Sequence, residues 1–235
     1  ENPQRGRLRQ FRQFNLEILG TEKSIADALI IRTLTTILEE FGFKDLIVDI
    51  NSMGDKETRP AFIKELTNYY KKHLDGLCKD CHERIKTNPL RLLDCKQEQC
   101  QPFKDNAPSS LSYLSNDARN HFKEVLQYLE EMAIPYRVNN SLVRGQSYYT
   151  RTVFEVIKVD VDENGKEKEI TITGGGRYDN LAKMMGSKKD VPAIGTGLSM
   201  ERIMMFPECK QVAPRIMKTP KVYFIQLGFE AKLKS

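Results

Sequence analysis

The stretch VRGQSYYTR, Val143 to Arg151, brings two arginines, a glycine and two adjacent tyrosines into nine residues directly ahead of the strand-like run TVFEVIKV. Arginine presents a planar fork of N–H donors matched to carboxylate and phosphate oxygens, which suits anionic substrates. Arg7, Arg144 and Arg202 each stand beside a turn or loop that carries glycine. Any one of them alone reads as an ordinary surface arginine, and the neighbours weaken that reading. Arg202 follows Glu201 at the start of an otherwise apolar helix, where a guanidinium is partly buried and needs an anionic partner. Gly195 and Gly197 upstream allow a flat group to approach the backbone closely.

A second group of residues suits a different ligand. LRQFRQFNLEIL alternates with a period of two, so Gln13, Asn15 and Glu17 share one strand face and Phe14, Leu16 and Ile18 the other. A face bearing an amide, an amide and a carboxylate reads as a site rather than a core. Tyr148, Tyr149 and Tyr178 add hydroxyls; on a strand only one of the adjacent pair can face a given pocket, and Tyr148 is expected to pack. A carboxylate together with tyrosine hydroxyls suits a ring with one donor and one acceptor nitrogen, which is a neutral imidazole. The triple glycine 174–176 lacks the Lys-Ser/Thr ending of a P-loop and the spacing of a dinucleotide fingerprint, which argues against both common nucleotide sites of parallel sheets.

Five cysteines, an odd number, argue against a disulfide framework. Cys78-x2-Cys81 followed by Cys95-x4-Cys100 places four thiols within 23 positions, a spacing compatible with a tetrahedral structural zinc site. The second pair is wider than the usual knuckle, so buried free thiols remain the competing reading. Cys209 reads as structural. His73, His82 and His121 fall outside these constellations.

The elements that must carry these residues alternate between helical and strand patterns. EKSIADALIIRTLTTILEEFGF predicts a helix with Ile25, Leu29, Leu34 and Leu38 inward, stopping at Gly42. DLIVDINSMG predicts a strand closed at Gly54, and a second helix is expected from Pro60 to Leu77. Residues about 75–115 are polar, cysteine-rich and broken by prolines, which marks an insertion or loop. NDARNHFKEVLQYLEEMAI resumes helical spacing, and strands follow in PYRVNNSLVRG, YYTRTVFEVIKV and EKEITIT, the last two joined by a hairpin at Asn164-Gly165. GGGRYDNLAKMM is expected as a glycine turn opening a short helix, and PAIGTGLSMERIMMF as a strand, a Gly-x-Gly turn and a buried helix. Val222 to Leu227 predicts one more strand. The net charge of +5, with Arg5, Arg7, Arg9 and Arg12 close together, is compatible with a polyanionic partner. No apolar h-region or membrane-length run is present in the sequence, and the chain is expected to be cytoplasmic.

In order and spacing, LVRGQSYYTRTVFEV and GGGRYDNL resemble the two histidine-specific motifs of histidyl-tRNA synthetases, and GTGLSMERIMM resembles their class II motif 3. ENPQRGRLRQFRQFNLEILG looks like the end of motif 2, and INSMGD and NPLRLLDCK resemble intervening segments. The resemblance implies an α+β class II aminoacyl-tRNA synthetase fold, an antiparallel sheet flanked by helices, with a helical, cysteine-bearing insertion at about 75–115. It implies a catalytic core over 1–212 and, over 213–235, a linker and the start of an anticodon-binding domain. It implies histidine activation with ATP and Mg2+, transfer to tRNA(His), and a homodimer. Arg7 and Arg202 would hold the terminal phosphates of ATP, and Gly195 and Gly197 would lie near the adenosine. Arg144 would contact the histidine carboxylate and the α-phosphate. Gln13 would hold the backbone groups of histidine, with Glu17, Tyr149 and Tyr178 reading the imidazole.

Two departures accompany the resemblance. The family pattern Arg-Gly-Leu-Asp-Tyr-Tyr has Gln146 and Ser147 here, which removes a carboxylate from the loop. The chain also starts after motif 1 and after the motif 2 arginine, so a catalytic-domain fragment is expected. The alternatives are a histidine-sensing paralogue such as the regulatory subunit of ATP phosphoribosyltransferase, and a synthetase-like regulatory domain. A sensor has no need of triphosphate-binding arginines, and Arg7 and Arg202 favour the enzyme.

Overall fold

The computed structural model describes residues 8–161 and 167–211. Arg7, the Asn164-Gly165 turn and the strand expected at 222–227 lie outside them. Six strands form one sheet in the order β1-β6-β5-β4-β2-β3. They are β1 (Gln13–Leu19), β2 (Leu46–Ser52), β3 (Tyr136–Val138), β4 (Thr150–Val161), β5 (Glu167–Arg177) and β6 (Ala193–Ser199). Every neighbouring pair is antiparallel except β2 and β3, which run parallel over three residue pairs.

Two helices close one face of the sheet. α1 (Ser24–Glu40) and α5 (Asn116–Glu131) pack on Val48, Ile50, Phe154, Val156, Ile172 and Ile194. The Ser115 hydroxyl accepts from Ala118 N and starts α5, satisfying one of the helix's orphan donors. Ile25 and Leu29 do not face inward as the spacing predicted: they are 39% and 51% exposed. The buried stripe is Asp27, Ile31, Leu34 and Leu38 with Ala26 and Ile30 beside it. Asp27 is drawn inward by a buried arginine and histidine, and this sets the rotation of the helix.

A second core lies on the other face of β4, since alternate strand residues point to opposite sides. Phe154 and Val156 belong to the first core and Val153 to the second. α2 (Arg59–Lys71) ends earlier than expected and is followed by a 3-10 turn at Leu74–Gly76, where the Phe103 ring occupies the space a side chain at 76 would need. The cysteine-bearing segment is helical, as the resemblance implied, and not the open loop its prolines suggested. It contains α3 (Lys79–Thr87), 3-10 turns at Pro89–Leu92, Glu98–Cys100 and Ser110–Tyr113, and α4 (Gln101–Asp105). Its apolar side chains join Phe62, Leu66 and Tyr70 of α2 in that second core.

Four further expectations are corrected. Gly174 to Gly176 are strand residues of β5, and the turn begins only at Tyr178, ahead of the short α6 (Leu181–Met184). Gly195 and Gly197 likewise lie within β6 rather than in a turn. α7 (Met200–Ile203) is a single turn with Ile203 buried, while Met204 and Met205 stay 66% and 46% exposed. Of PYRVNNSLVRG, only Tyr136–Val138 pairs as a strand.

Candidate active site

The site grows from β1, β6 and β5. β1 pairs with β6 so that Glu17 stands opposite Gly195, Asn15 opposite Gly197 and Gln13 opposite Ser199. β6 pairs with β5 so that Gly197 faces Gly174 and Gly195 faces Gly176. Gly174, Gly176, Gly195 and Gly197 therefore share one face with Gln13, Asn15 and Glu17 and form a floor without side chains. The neighbours explain the choice of glycine. A Cβ at 195 would overlap the Glu17 carboxylate, and one at 197 the Gln13 amide. At 174 it would lie 2.7 Å from Arg144 Nη1, and at 176 it would lie 2.8 Å from the Tyr149 ring. Gly175 points the other way, where a Cβ would meet the Gly195 carbonyl oxygen and stand 2.9 Å from Thr196 Cα.

Around this floor the polar groups converge. The Tyr178 hydroxyl donates to Glu17 Oε2 in a short hydrogen bond. Burial, followed by the Glu17 carboxylate, pushes the Tyr178 phenol above its ordinary range, so it remains a donor at neutral pH. Tyr148 packs as expected, but against the site tyrosines and not from a strand. It lies in a turn rather than a strand, so the alternating-face argument does not apply, and its ring sits 4.8 Å from Tyr149 and 6.0 Å from Tyr178. Burial and Tyr149 push its phenol up to about 12.

Arg144 is held across Gly174 by Glu155 of β4, with Nη1 donating to Oε1 at 2.6 Å, and its guanidinium carbon lies 5.8 Å from the centre of the Tyr149 ring. The other oxygen of Glu155 accepts from Thr171 Oγ1 at 3.2 Å. Arg202 Nη2 donates to the Thr171 carbonyl, and its backbone N–H is capped by Ser199. Thr171 and Glu155 thus link Arg202 to Arg144. This alignment depends on an irregularity in the ladder: Thr173 pairs with Val156 and Thr171 with Ile157, so the register slips at Ile172 and brings Thr171 onto the face of Glu155.

Two supports lie outside the residues singled out from the sequence. Arg59, first residue of α2, donates from Nη1 to the carbonyls of Tyr149 at 2.7 Å and Ser147 at 2.9 Å. This clamp holds the loop that lacks the family carboxylate at 147. Arg177, fully buried at the end of β5, bonds Asp27 Oδ2 through Nη2 at 2.5 Å and Asp27 Oδ1 through Nε at 3.2 Å, and it reaches the Thr21 carbonyl and Asp179 through Nη1. It ties α1 to the residue preceding Tyr178. His121 Nε2 stands 3.3 Å from Asp27 Oδ2, off the hydrogen-bond direction. Burial raises the Asp27 carboxyl, but the His121 imidazole and the Arg177 guanidinium outweigh it and hold the carboxyl below its ordinary range.

A cavity of about 420 Å³ opens behind the loop, lined by Lys56, Arg59, Ile63, Tyr148 and Met184 among others. It shares Tyr148 with the site but none of Glu17, Arg144 or the floor glycines. On the floor side, a carboxylate and tyrosine hydroxyls stand beside two linked arginines. That arrangement can hold a small polar ring at one end and anionic groups at the other.

Comparison with known proteins agrees with this geometry. The chain is 40% identical over 233 residues to the histidine–tRNA ligase of Caldanaerobacter subterraneus subsp. tengcongensis, covering 99% of this chain and 54% of that protein. It is 37% identical over 235 residues to the histidine–tRNA ligase of Caldicellulosiruptor saccharolyticus, covering 55% of it. The chain therefore spans about half the length of the curated relatives it matches. Among solved structures, apo histidyl-tRNA synthetase from S. aureus superposes with a TM-score of 0.68 at 28% identity, over 99% of this chain and 55% of that one. The family model described as histidyl-tRNA synthetase matches residues 1–203, and the chain belongs to the histidyl-tRNA synthetase family.

Proposed function

We propose that this chain carries the histidine-activating part of a cytoplasmic histidine–tRNA ligase. The protein joins L-histidine to ATP, with Mg2+ as the counter-ion of the nucleotide, and passes the histidyl group to tRNA(His), acting as a homodimer. The observation that carries the reading is the Glu17–Tyr178 hydrogen bond over a glycine floor, with Arg144 alongside. The carboxylate is suited to accept from an imidazole N–H, and the Tyr149 hydroxyl is assigned the complementary donor. Tyr178 fixes the carboxylate, and Tyr149 closes the pocket beside Arg144. Gln13 reaches the backbone groups of the amino acid from the far end of β1.

Activation brings the histidine carboxylate onto the α-phosphorus of ATP while charge builds on the departing pyrophosphate. Pre-positioned guanidinium groups offset that charge with little reorganisation. Arg144, held by Glu155, is assigned to the carboxylate and α-phosphate, and Arg202 to the terminal phosphates. Gly195 and Gly197 leave room for the adenosine, and Arg7 is assigned to the terminal phosphates from outside the described residues. No side-chain nucleophile is required. The catalytic core is assigned to 1–212, and 213–235 to a linker leading into an anticodon-binding domain. The four cysteines are assigned to structural Zn2+, as argued below.

Histidine-dependent exchange of labelled pyrophosphate into ATP, in the protein that carries this chain, tests the reading. Exchange supports adenylate formation. Histidine binding without exchange would favour the sensor reading instead.

A further inference from the structure

We propose that Cys78, Cys81, Cys95 and Cys100 bind one Zn2+ as a tetrathiolate, and that this ion fastens the helical insertion behind the Arg144–Tyr149 loop. The four Sγ atoms lie within 4.8 Å of one another. Cys78 Sγ stands 3.8 Å from Cys95 Sγ, and Cys100 Sγ 4.0 Å from Cys81 Sγ. With Zn–S bonds of about 2.3 Å, a regular tetrahedron requires sulfur atoms about 3.8 Å apart. Two of the sulfur pairs stand at or near that spacing, and the whole set, within 4.8 Å, needs only a small inward shift to reach it. They are too far apart for disulfides, whose sulfurs lie about 2.05 Å apart, and all four are free. An iron–sulfur cluster distributes its cysteines over several irons and needs a wider cage.

The local structure is that of a ligand site rather than a chance meeting of buried thiols. Cys78 is the N-cap of α3 and Cys81 lies in its first turn, where the Cys81 N–H donates to the Cys78 carbonyl at 3.0 Å. The Cys78 N–H donates to Cys100 Sγ at 3.4 Å, a bond that favours thiolate over thiol. Cys81, Cys95 and Cys100 are 1%, 2% and 2% exposed. An independent observation comes from Tyr70. Its hydroxyl is fully buried without a hydrogen-bond partner, in the same apolar cluster as Cys81, Cys95 and Cys100. A buried donor left unpaired is costly, and a thiolate sulfur is a stronger acceptor than a thiol. His82 does not take part: its Nε2 is engaged with the Leu74 carbonyl at 2.8 Å.

Binding is an exchange of protons for metal. Each thiol that ligates gives up its proton, so up to four protons are released per Zn2+, and the sulfurs are not oxidised. The ion joins segment 78–81 to segment 95–100. The side chains around it are continuous with Leu142, Val143 and Tyr149 in one apolar cluster, so the insertion backs the loop that carries Arg144. The effect on histidine binding rests on the proposed function, whereas metal content does not, and the two are measured separately.

The test is elemental analysis of the intact protein purified without chelator, together with replacement of the metal by Co2+. The expected result is about one zinc per chain, and a cobalt form with the visible bands and sulfur-to-metal charge transfer of a tetrahedral tetrathiolate. Cys95→Ser should lose those bands or shift them to a three-sulfur pattern. Metal removal under reducing conditions should weaken histidine binding several-fold, reversibly on adding Zn2+. Less than half an equivalent of zinc, combined with failure of the wild-type protein to give the cobalt spectrum, overturns the site. So does iron in place of zinc, or a mass deficit that shows disulfides. If zinc is present and its removal leaves histidine binding unchanged, the support of the loop is overturned and the metal site stands.

Discussion

Glu17 and Gly195 stand opposite each other across the β1–β6 ladder, and a side chain at 195 would occupy the space of the Glu17 carboxylate. The glycine is thus the counterpart of the glutamate: one supplies the charge and the other the room to aim it. A side chain at 197 would likewise take the space of the Gln13 amide, and one at 174 would crowd Arg144.

Alanine at a floor glycine and at Gly175, which points away from the floor, should therefore act differently. In Gly195→Ala the collision is with the end of a flexible side chain on an edge strand, so Glu17 swings away and the fold persists. Histidine affinity should fall roughly 10- to 100-fold, the worth of about 1.5–3 kcal/mol for a charge-assisted hydrogen bond, with the melting temperature nearly unchanged. In Gly175→Ala the collision is with backbone of β6, and stability should fall by about 1–3 kcal/mol in denaturant titration.

Arg59 is a positioning residue for the loop at 147–149. Arg59→Ala removes both carbonyl bonds and should raise KM for histidine about tenfold while leaving KM for ATP close to wild type, since the nucleotide is assigned to other residues. Arg59→Lys, which keeps the charge but not the fork, should recover part of the loss. A purely structural role would move both constants or neither.

The fold-forming pair Asp27 and Arg177 sets a dependence on acid. Because the folded carboxyl is held below its ordinary value, its contribution is fully present above the unfolded pKa and is lost as pH falls through the folded one. Wild-type stability should therefore decline below about pH 4, and Asp27→Asn should lack that part of the slope. The variant removes the fully buried carboxylate of the pair, leaving Arg177 with Asp179, and should cost about 3 kcal/mol at neutral pH, read by denaturant unfolding.

Much of this site was legible because strand periodicity is simple. Period-two alternation placed Gln13, Asn15 and Glu17 on one face, as found, and the arginine–glycine–tyrosine stretch marked the loop. The glycines were read as turns because glycine in isolation signals φ freedom. Here β5 and β6 need glycine for close approach across strands, and that depends on partners distant in sequence. Glu155 was within reach, as the one acidic residue in TVFEVIKV. Arg59 and Arg177 were not, because their partners are backbone carbonyls and a helix residue 150 positions away. Ile25 and Leu29 misled for the same reason: the inward turn of α1 is set by Asp27, whose partners are invisible to helical spacing.

The most direct test of the imidazole-reading floor is calorimetric titration of L-histidine into this chain and into Glu17→Gln. The account predicts saturable binding of L-histidine but not of L-phenylalanine, weakened at least about tenfold in the variant while the variant's unfolding curve matches wild type. Equal binding of histidine to both proteins, or equal binding of the two amino acids to the wild type, would contradict it.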